Sequence, residues 1–326
     1  MKDGSIDAGT KAEEADRYLT GYAFEEPKAG GDAGCMLCPR RCGARRSAGA
    51  RGVCGIGGEL KVARAALHMW EEPCISGDRG SGTVFFSGCP LRCIFCQNRA
   101  ISDGKAGKPV SVGRLSEIFL ELQEKGAANI NLVTPGHYAP QVTEALKIAK
   151  KNGLLIPVVC NTGGYETLDT LRLLSEVTDV WLPDLKYLSP ELAVRFSRAA
   201  DYPDVACAAI DFMAEHAGTL KTDAQGYVRK GVIVRHLVLP GHVNEAKAVI
   251  RYLYERFGNR ITMSLLNQYT PPAEPLPYAE LNRKLTAREY ERVVDYALEL
   301  GVSNAFIQEG ATAKESFIPA FDEEGV

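Results

Sequence analysis

From residue 83 onward the chain alternates short apolar runs with amphipathic stretches. The runs are Thr83–Ser87, Asn129–Thr134, Pro157–Asn161, Asp179–Leu185, Val232–Leu239 and Ile261–Asn267, with Asn304–Gln308 as a further one. They are short and mostly lack polar alternation, the pattern of strands buried on both faces. Helical signals lie between them. Leu115, Ile118, Phe119 and Leu122 mark one buried helical face. A helix from Ala139 meets a stop at Asn152-Gly153. Ser189-Pro190 is an N-cap followed by a first-turn proline. Thr286 and Glu289 fit a capping box, in a helix that Gly301 closes. Repeated strand–helix units predict parallel strands with right-handed crossovers. Six or seven such units without an early GxGxxG predict an α/β fold, a full or partial (β/α) barrel. Only Thr219–Arg229 breaks the rhythm, as a polar hairpin turning near Asp223-Ala224-Gln225-Gly226.

The first of these strands runs directly into Ser87-Gly88-Cys89-Pro-Leu-Arg-Cys93-Ile-Phe-Cys96, spaced C-x3-C-x2-C. Three thiolates on one short loop at a strand's end can hold a metal cluster. Three is one fewer than the usual set for an iron–sulfur cluster, so one iron would stay open to a substrate or cofactor. Structural zinc sites are closed by four ligands, and no fourth ligand adjoins this loop.

A second cysteine group lies upstream: Cys35, Cys38, Cys42 and Cys54, spaced C-x2-C-x3-C-x11-C among glycines. Four thiols within twenty residues match a closed zinc site or an iron–sulfur site, and spacing alone does not separate the two. Arg40, Arg41, Arg45, Arg46 and Arg51 accompany them. They read as a solvated face offsetting thiolate charge, or as a docking patch for an acidic electron carrier. The remaining cysteines, Cys74, Cys160 and Cys207, are scattered and read as small hydrophobes.

The expected organisation is a loosely ordered leader over 1–30, with a short helix at Glu13–Tyr22, a Cys-rich metal-binding segment over 31–80, and the barrel over 81–326. A net charge of −3 gives no general case for a nucleic-acid partner. No apolar run approaches the ~20 residues that span a bilayer, and Met1–Gly34 has no signal-peptide core. A cytoplasmic location is expected, where grouped cysteines are metal ligands or redox centres before they are disulfides.

Catalytic groups of a barrel gather at the C-terminal ends of its strands. There the sequence places Thr134-Pro135-Gly136-His137, Asn161-Thr-Gly-Gly164, Asp184-Leu-Lys186, Arg235-His236 and Asn267-Gln-Tyr269. Their polar character suits a small ligand with hydroxyls, a carboxylate and an amine.

Cys89-x3-Cys93-x-Phe95-Cys96 resembles the cluster motif of the radical S-adenosylmethionine (SAM) superfamily, and the resemblance covers residues 80 to 310. Asp184-Leu-Lys186 and Arg235-His-Leu-Val-Leu-Pro-Gly241 resemble segments of pyruvate formate-lyase activating enzymes. The upstream cysteines, Thr134-Pro135 and Asn267-Gln-Tyr-Thr-Pro271 look most like the PflX-type branch of their homologues. The resemblance implies a partial (β/α)6-type TIM barrel. It implies that Cys89, Cys93 and Cys96 bind three irons of a [4Fe–4S] cluster whose fourth iron takes the amino and carboxylate groups of SAM. One electron, from a donor such as flavodoxin or ferredoxin, then cleaves SAM to methionine and a 5′-deoxyadenosyl radical that abstracts hydrogen from a substrate. The implied substrate is a protein, as for an activating enzyme, or a small molecule or peptide; a non-catalytic zinc-stabilised binding protein is the alternative from another class. By position Phe95 would lie near the adenine, and Asn161, Asp184, Lys186 and Arg235 would contact SAM's ribose, carboxylate or amine. The superfamily's frequent Gly-Gly-Glu segment is replaced by Thr134-Pro135-Gly136, which departs from a standard glycyl-radical activase.

Overall fold

The computed structural model describes residues 34–308 and 319–326; the leader and its expected Glu13–Tyr22 helix lie outside the described residues. The strands are β1 (Lys61–His68), β2 (Ser81–Phe86), β3 (Lys108–Pro109), β4 (Ile130–Val133), β5 (Val158–Thr162), β6 (Val180–Pro183), β7 (Lys221–Thr222), β8 (Val228–Leu237), β9 (Thr262–Leu266) and β10 (Ala305–Ile307). Their order is β10-β9-β8-β6-β5-β4-β2-β1-β3, with β7 paired to β8. From β2 to β10 every neighbouring pair on this path is parallel. The sheet is a partial barrel, open between β10 and the β1 side, and the expected strands are present to within a few residues. The hairpin before β8 is also present, with β7 antiparallel to β8.

The expected caps form. Ser189 accepts from Leu192 N, and Thr286 and Glu289 make a reciprocal capping box closed by left-handed Gly301. Helix Val112–Glu124 buries Leu115, Ile118, Phe119 and Leu122.

Residues alternate across each strand, and this fixes the site. Val158, Cys160, Trp181, Val232, Val234, Met263 and Leu265 face the large core packed by the helices. Val159, Val180, Leu182 and Ile233 belong to a separate inner cluster, plugged by Cys74 and Ile75 from the short helix Pro73–Ser76. Continuing the same period, Asn131, Asn161, Asp184, Arg235 and Ser264 lie on the inner face.

Two features lie beyond the sequence reading. The Cys-rich segment contributes β1, antiparallel to β2. The C-terminal residues lie along β1: Glu323 N donates to Ala63 O at 3.1 Å, and Ala65 N to Glu324 O at 2.8 Å. Ten free cysteines include Cys74 and Cys160 buried in apolar clusters and Cys207 packed partly against one, as expected of small hydrophobes.

Candidate active site

The three-cysteine loop is held from below by β2 and from the side by the Cys-rich segment. Gly88 has φ +85°, and a Cβ there would stand 2.7 Å from Cys54 O, so the two segments approach as only glycine permits. The next amide, Cys89 N, donates to that same carbonyl at 3.3 Å. Arg92 occupies the left-handed region at φ +51° and reaches Val53 O at 3.3 Å. Ile94 N donates to Phe196 O at 2.9 Å, and Cys96 N to Cys93 O at 3.1 Å. Ser197 Oγ donates to Cys93 Sγ at 3.1 Å and stands 2.6 Å from Tyr187 Oη. Because Ser197 has one proton and directs it at sulfur, Tyr187 is the donor in the second bond.

Cys89, Cys93 and Cys96 are half-buried. Burial, then the negative charge of Cys93, pushes the Cys89 thiol up to about 11. Burial, then Cys89 and Cys93, pushes Cys96 up to about 12. Thiols this reluctant to ionise together lose their protons to a metal that binds thiolate, so the donor set fits a soft-metal cluster. Among the described residues no three or more His, Cys, Asp or Glu side chains are already drawn together as a finished metal cage; the fit lies in donor chemistry and in the loop that carries it.

Beside the loop stands a charged network built from the inner face. Arg235 Nε meets Asp184 Oδ1 at 2.9 Å, Arg235 Nη2 donates to Asn161 Oδ1 at 2.6 Å, and Lys186 Nζ meets Asp184 Oδ2 at 2.6 Å. Four sequence-predicted residues from β5, β8 and the segment after β6 are thus brought together. Burial alone would raise Asp184, but Arg235 and Lys186 hold its carboxyl below the usual range. Burial would likewise lower Lys186, yet the Asp184 charge, and then Cys93, keep it above the ordinary lysine value. Lys186 also acts on Cys89 and Cys96 electrostatically, so it links the network to the cysteine loop.

The structure adds residues the sequence did not single out. Glu71 Oε2 lies 3.4 Å from Arg235 Nη1, and Glu71 Oε1 accepts from Asn131 at 2.9 Å. Glu72 is buried beside it. Burial raises both carboxyls above the usual range. Glu166, just past β5, is buried and pushed up to about 7 by that burial. Its Cγ would lie 3.1 Å from a Cβ on Gly136. Thr134 takes φ +60°, a strained value for a β-branched residue, at the end of β4 where the Gly-Gly-Glu segment is missing.

Phe95 is not part of this network. It is buried and meets Tyr187 and Phe196 edge-on, at centroid distances of 6.5 and 6.1 Å. His137 Nε2 bonds Ser87 O at 2.8 Å, and His236 Nδ1 bonds Leu185 O at 2.7 Å. Both rings are buried and held below the ordinary histidine pKa first by burial; they brace the strand ends.

The upstream cysteines converge too. Cys38 and Cys54 are buried. A Cβ on Gly52 would stand 3.2 Å from Cys42 Sγ and 3.4 Å from Cys54 Sγ. Burial pushes Cys38 up to about 12, with the charges of Cys54, Cys35 and Cys42 adding to it. Two arginines here are not the solvated face expected. Arg40 donates to Pro90 O at 2.9 Å, Ser197 O at 2.7 Å and Arg198 O. Arg46 donates to Gly57 O at 2.6 Å and His137 O at 2.8 Å. These guanidiniums turn inward because backbone carbonyls of the cysteine loop and strand ends converge there, whereas Arg41, Arg45 and Arg51 stay exposed.

Residues 83–253, just over half of the chain, match the family model for the radical SAM superfamily. An uncharacterized protein of Methanocaldococcus jannaschii is 29% identical over 271 residues, covering 81% of this chain and 74% of its own. Streptococcus suis SuiB bound to S-adenosylmethionine superposes with a TM-score of 0.47 at 16% identity, over 69% of this chain and 46% of that one. This chain therefore spans about half the length of SuiB. Methylornithine synthase superposes with a TM-score of 0.44 at 14% identity, over 67% of each chain. No helix among the described residues is long and apolar enough to cross a membrane.

Proposed function

This chain belongs to the radical SAM superfamily, and from that premise we propose that Cys89, Cys93 and Cys96 are its cluster ligands and that Asn161, Asp184, Lys186 and Arg235 hold SAM. Membership makes it an iron–sulfur enzyme that uses SAM and an external one-electron reductant, and the non-catalytic zinc protein gives way to it. When bound, the cluster and SAM supply the radical that removes hydrogen from a substrate. The observation that carries the assignment is Lys186, which is paired with Asp184 at 2.6 Å and flanks Gly163 opposite the cysteine loop, a Cβ there lying 3.9 Å from Lys186 Cε and 3.6 Å from Leu91 Cδ2.

The chain's own residues bind, orient and exclude water. Lys186 offers a cation to a carboxylate beside the loop. Asp184 and Asn161 offer acceptors for hydroxyls or an amine, and Arg235 fixes both. Ser197, oriented by Tyr187, donates to the Cys93 sulfur. Phe95 backs the loop with an aromatic wall against which an adenine can pack.

Within the family the reading is activating-enzyme-like, of the PflX-type branch. The activating-enzyme likeness is supported by Asp184-Leu-Lys186 and the Arg235–Gly241 segment, and the branch by the upstream cysteines, Thr134-Pro135 and Asn267-Gln-Tyr-Thr-Pro271. Its hydrogen donor is a protein segment or a small molecule, and its reductant a flavodoxin- or ferredoxin-like carrier. Cys35, Cys38, Cys42 and Cys54 form a second metal site, holding zinc or an iron–sulfur cluster. Residues 31–80 act as a metal-binding brace on a barrel spanning 81–326.

The test is anaerobic purification, reconstitution with iron and sulfide, and addition of SAM with a reductant. Parent protein is expected to form 5′-deoxyadenosine and Cys93→Ser to form none. Equal product from Cys93→Ser refutes the cluster assignment. In the triple serine variant of Cys89, Cys93 and Cys96, residual iron identifies the second site as a cluster and residual zinc as a structural knot; neither metal refutes it.

A further inference from the structure

A cavity of ≈ 250 Å³ opens between Met69–Pro73 and β9–β10, on the open side of the partial barrel. Its walls include Trp70 and Phe306, and Glu72, Arg235 and Ser264 supply polar groups. Typical ligand pockets measure roughly 300–1,000 Å³, so this one suits a side chain or a small fragment.

The polar balance inside is uneven. Arg235 is fully engaged, with Asp184, Asn161 and Glu71 each on a different nitrogen. Both Glu71 oxygens are taken, by Asn131 and Arg235. Glu72 is 7% exposed and lines the cavity together with Ser264. Its Oε2 has no hydrogen-bond partner among the described residues. A buried carboxylate oxygen without a donor costs about 1–3 kcal/mol or more. The nearby cations Lys186 and Arg235 are outnumbered by the carboxyls of Asp184, Glu71, Glu72 and Glu166.

We infer that this cavity is the substrate pocket and that it takes a cationic nitrogen group, an alkylammonium or guanidinium, at Glu72. Such a group supplies the donor that Oε2 lacks and stabilises the ionised Glu72 carboxylate, which burial alone disfavours. The faces of Trp70 and Phe306 suit its alkyl stem and attract its charge. Arg235 lines this cavity and also holds Asp184 and Asn161, so a C–H bond on that stem lies one side chain away from the residues assigned to SAM. The inference rests on the proposed SAM site, because only its position makes the cavity a place for hydrogen abstraction.

The probes are n-pentylammonium, its neutral isostere 1-pentanol and the anion pentanoate. Each is titrated calorimetrically into the anaerobic, cluster-loaded full chain with SAM present. The expected result is at least tenfold tighter binding of pentylammonium than of either other probe, with Glu72→Gln removing that preference. Equal binding of pentanol or pentanoate overturns the inference, as does a Glu72→Gln protein that keeps the preference. Competition between pentylammonium and SAM also overturns it, since the carboxylates then serve SAM. If Glu72→Gln does not fold, the comparison of probes on the parent decides alone. Formation of 5′-deoxyadenosine by the same parent sample is measured separately: its absence refutes the radical SAM reading, whereas its presence with no cation preference refutes only this pocket.

Discussion

Removing the Arg40 guanidinium isolates the contribution of the Cys-rich segment to the cysteine loop. Arg40 bridges Pro90 O at 2.9 Å and Ser197 O at 2.7 Å, and its charge lies 5.3 Å from the Tyr165 ring centroid. A further contact to Leu91 O, at 3.4 Å, is too long to count for much. Charge-assisted hydrogen bonds contribute about 1.5–3 kcal/mol each. Arg40 is half-buried, which favours the lower end, so the two good bonds amount to about 3 kcal/mol. The cation–π contact adds about 0.5 kcal/mol. Arg40→Ala should therefore raise local opening of the loop on the order of 300-fold, at ~1.4 kcal/mol per decade. Hydrogen–deuterium exchange of peptides spanning residues 88–98 reads this directly, because the amides of Cys89, Ile94 and Cys96 are hydrogen-bonded. Strand Val180–Pro183 should exchange as in the parent. Arg40→Lys keeps the charge without the planar fork and should fall between the two. Acceleration of less than about threefold in Arg40→Ala would refute the bridging role, whichever metal the upstream cysteines hold.

Asp184→Asn leaves Lys186 and Arg235 without their shared counter-charge; the three side chains are only 15–21% exposed. Breaking a buried pair costs about 3–5 kcal/mol, so a loss near 3 kcal/mol is expected from anaerobic urea unfolding, and less than about 1 kcal/mol would contradict it. His137 is lowered from 6.5 to about 4 by burial. The unfolded chain thus binds the extra proton first, so this stability is complete above pH 6.5 and is lost as pH falls toward 4. The difference between pH 7 and pH 5 is about 2 kcal/mol, and an unfolding midpoint in His137→Gln with the parent's full pH dependence would refute it. Ser197→Ala removes a hydrogen bond to the Cys93 sulfur. A bond of about 1 kcal/mol to the reduced cluster corresponds to roughly 40 mV at one electron, so the midpoint potential of the cluster proposed at Cys89, Cys93 and Cys96 should become more negative by that amount in a redox titration.

The barrel was legible because its strands are buried on both faces and its helices carry ordinary stop and start signals. The SAM-site candidates were legible because strand ends are where a (β/α) barrel presents polar groups. Asn161, Asp184 and Arg235 also share the inner face by the two-residue period. Glu71 and Glu72 follow a different logic. They reach the site from β1, whose sequence Lys-Val-Ala-Arg-Ala-Ala-Leu-His has little β-prone character, and from a loop before the first parallel strand. The two acids by themselves read as a solvated acidic pair, and the antiparallel pairing of β1 with β2 carries them into the barrel. The signal that could have found it is Trp70-Glu-Glu-Pro73, in which two acids are flanked by an aromatic and a helix-starting proline.

The same distinction separates the two cysteine groups. Spacing identifies each group, but not their relation, which depends on one carbonyl. Cys54 O accepts from Cys89 N, and Gly88 must remain a glycine for that approach. Metal bound at the upstream group would fix Cys54, and through it the first cysteine of the loop. Gly88→Ala tests this coupling without touching a thiol. Its Cβ would be placed 2.7 Å from Cys54 O and 2.5 Å from Ile56 Cγ1, so the segments must separate. The expected outcome is faster iron loss to a chelator from the Cys89/Cys93/Cys96 site and unchanged metal at the upstream group. Loss from both groups at the same rate would mean that Gly88→Ala acts through global unfolding rather than through this contact.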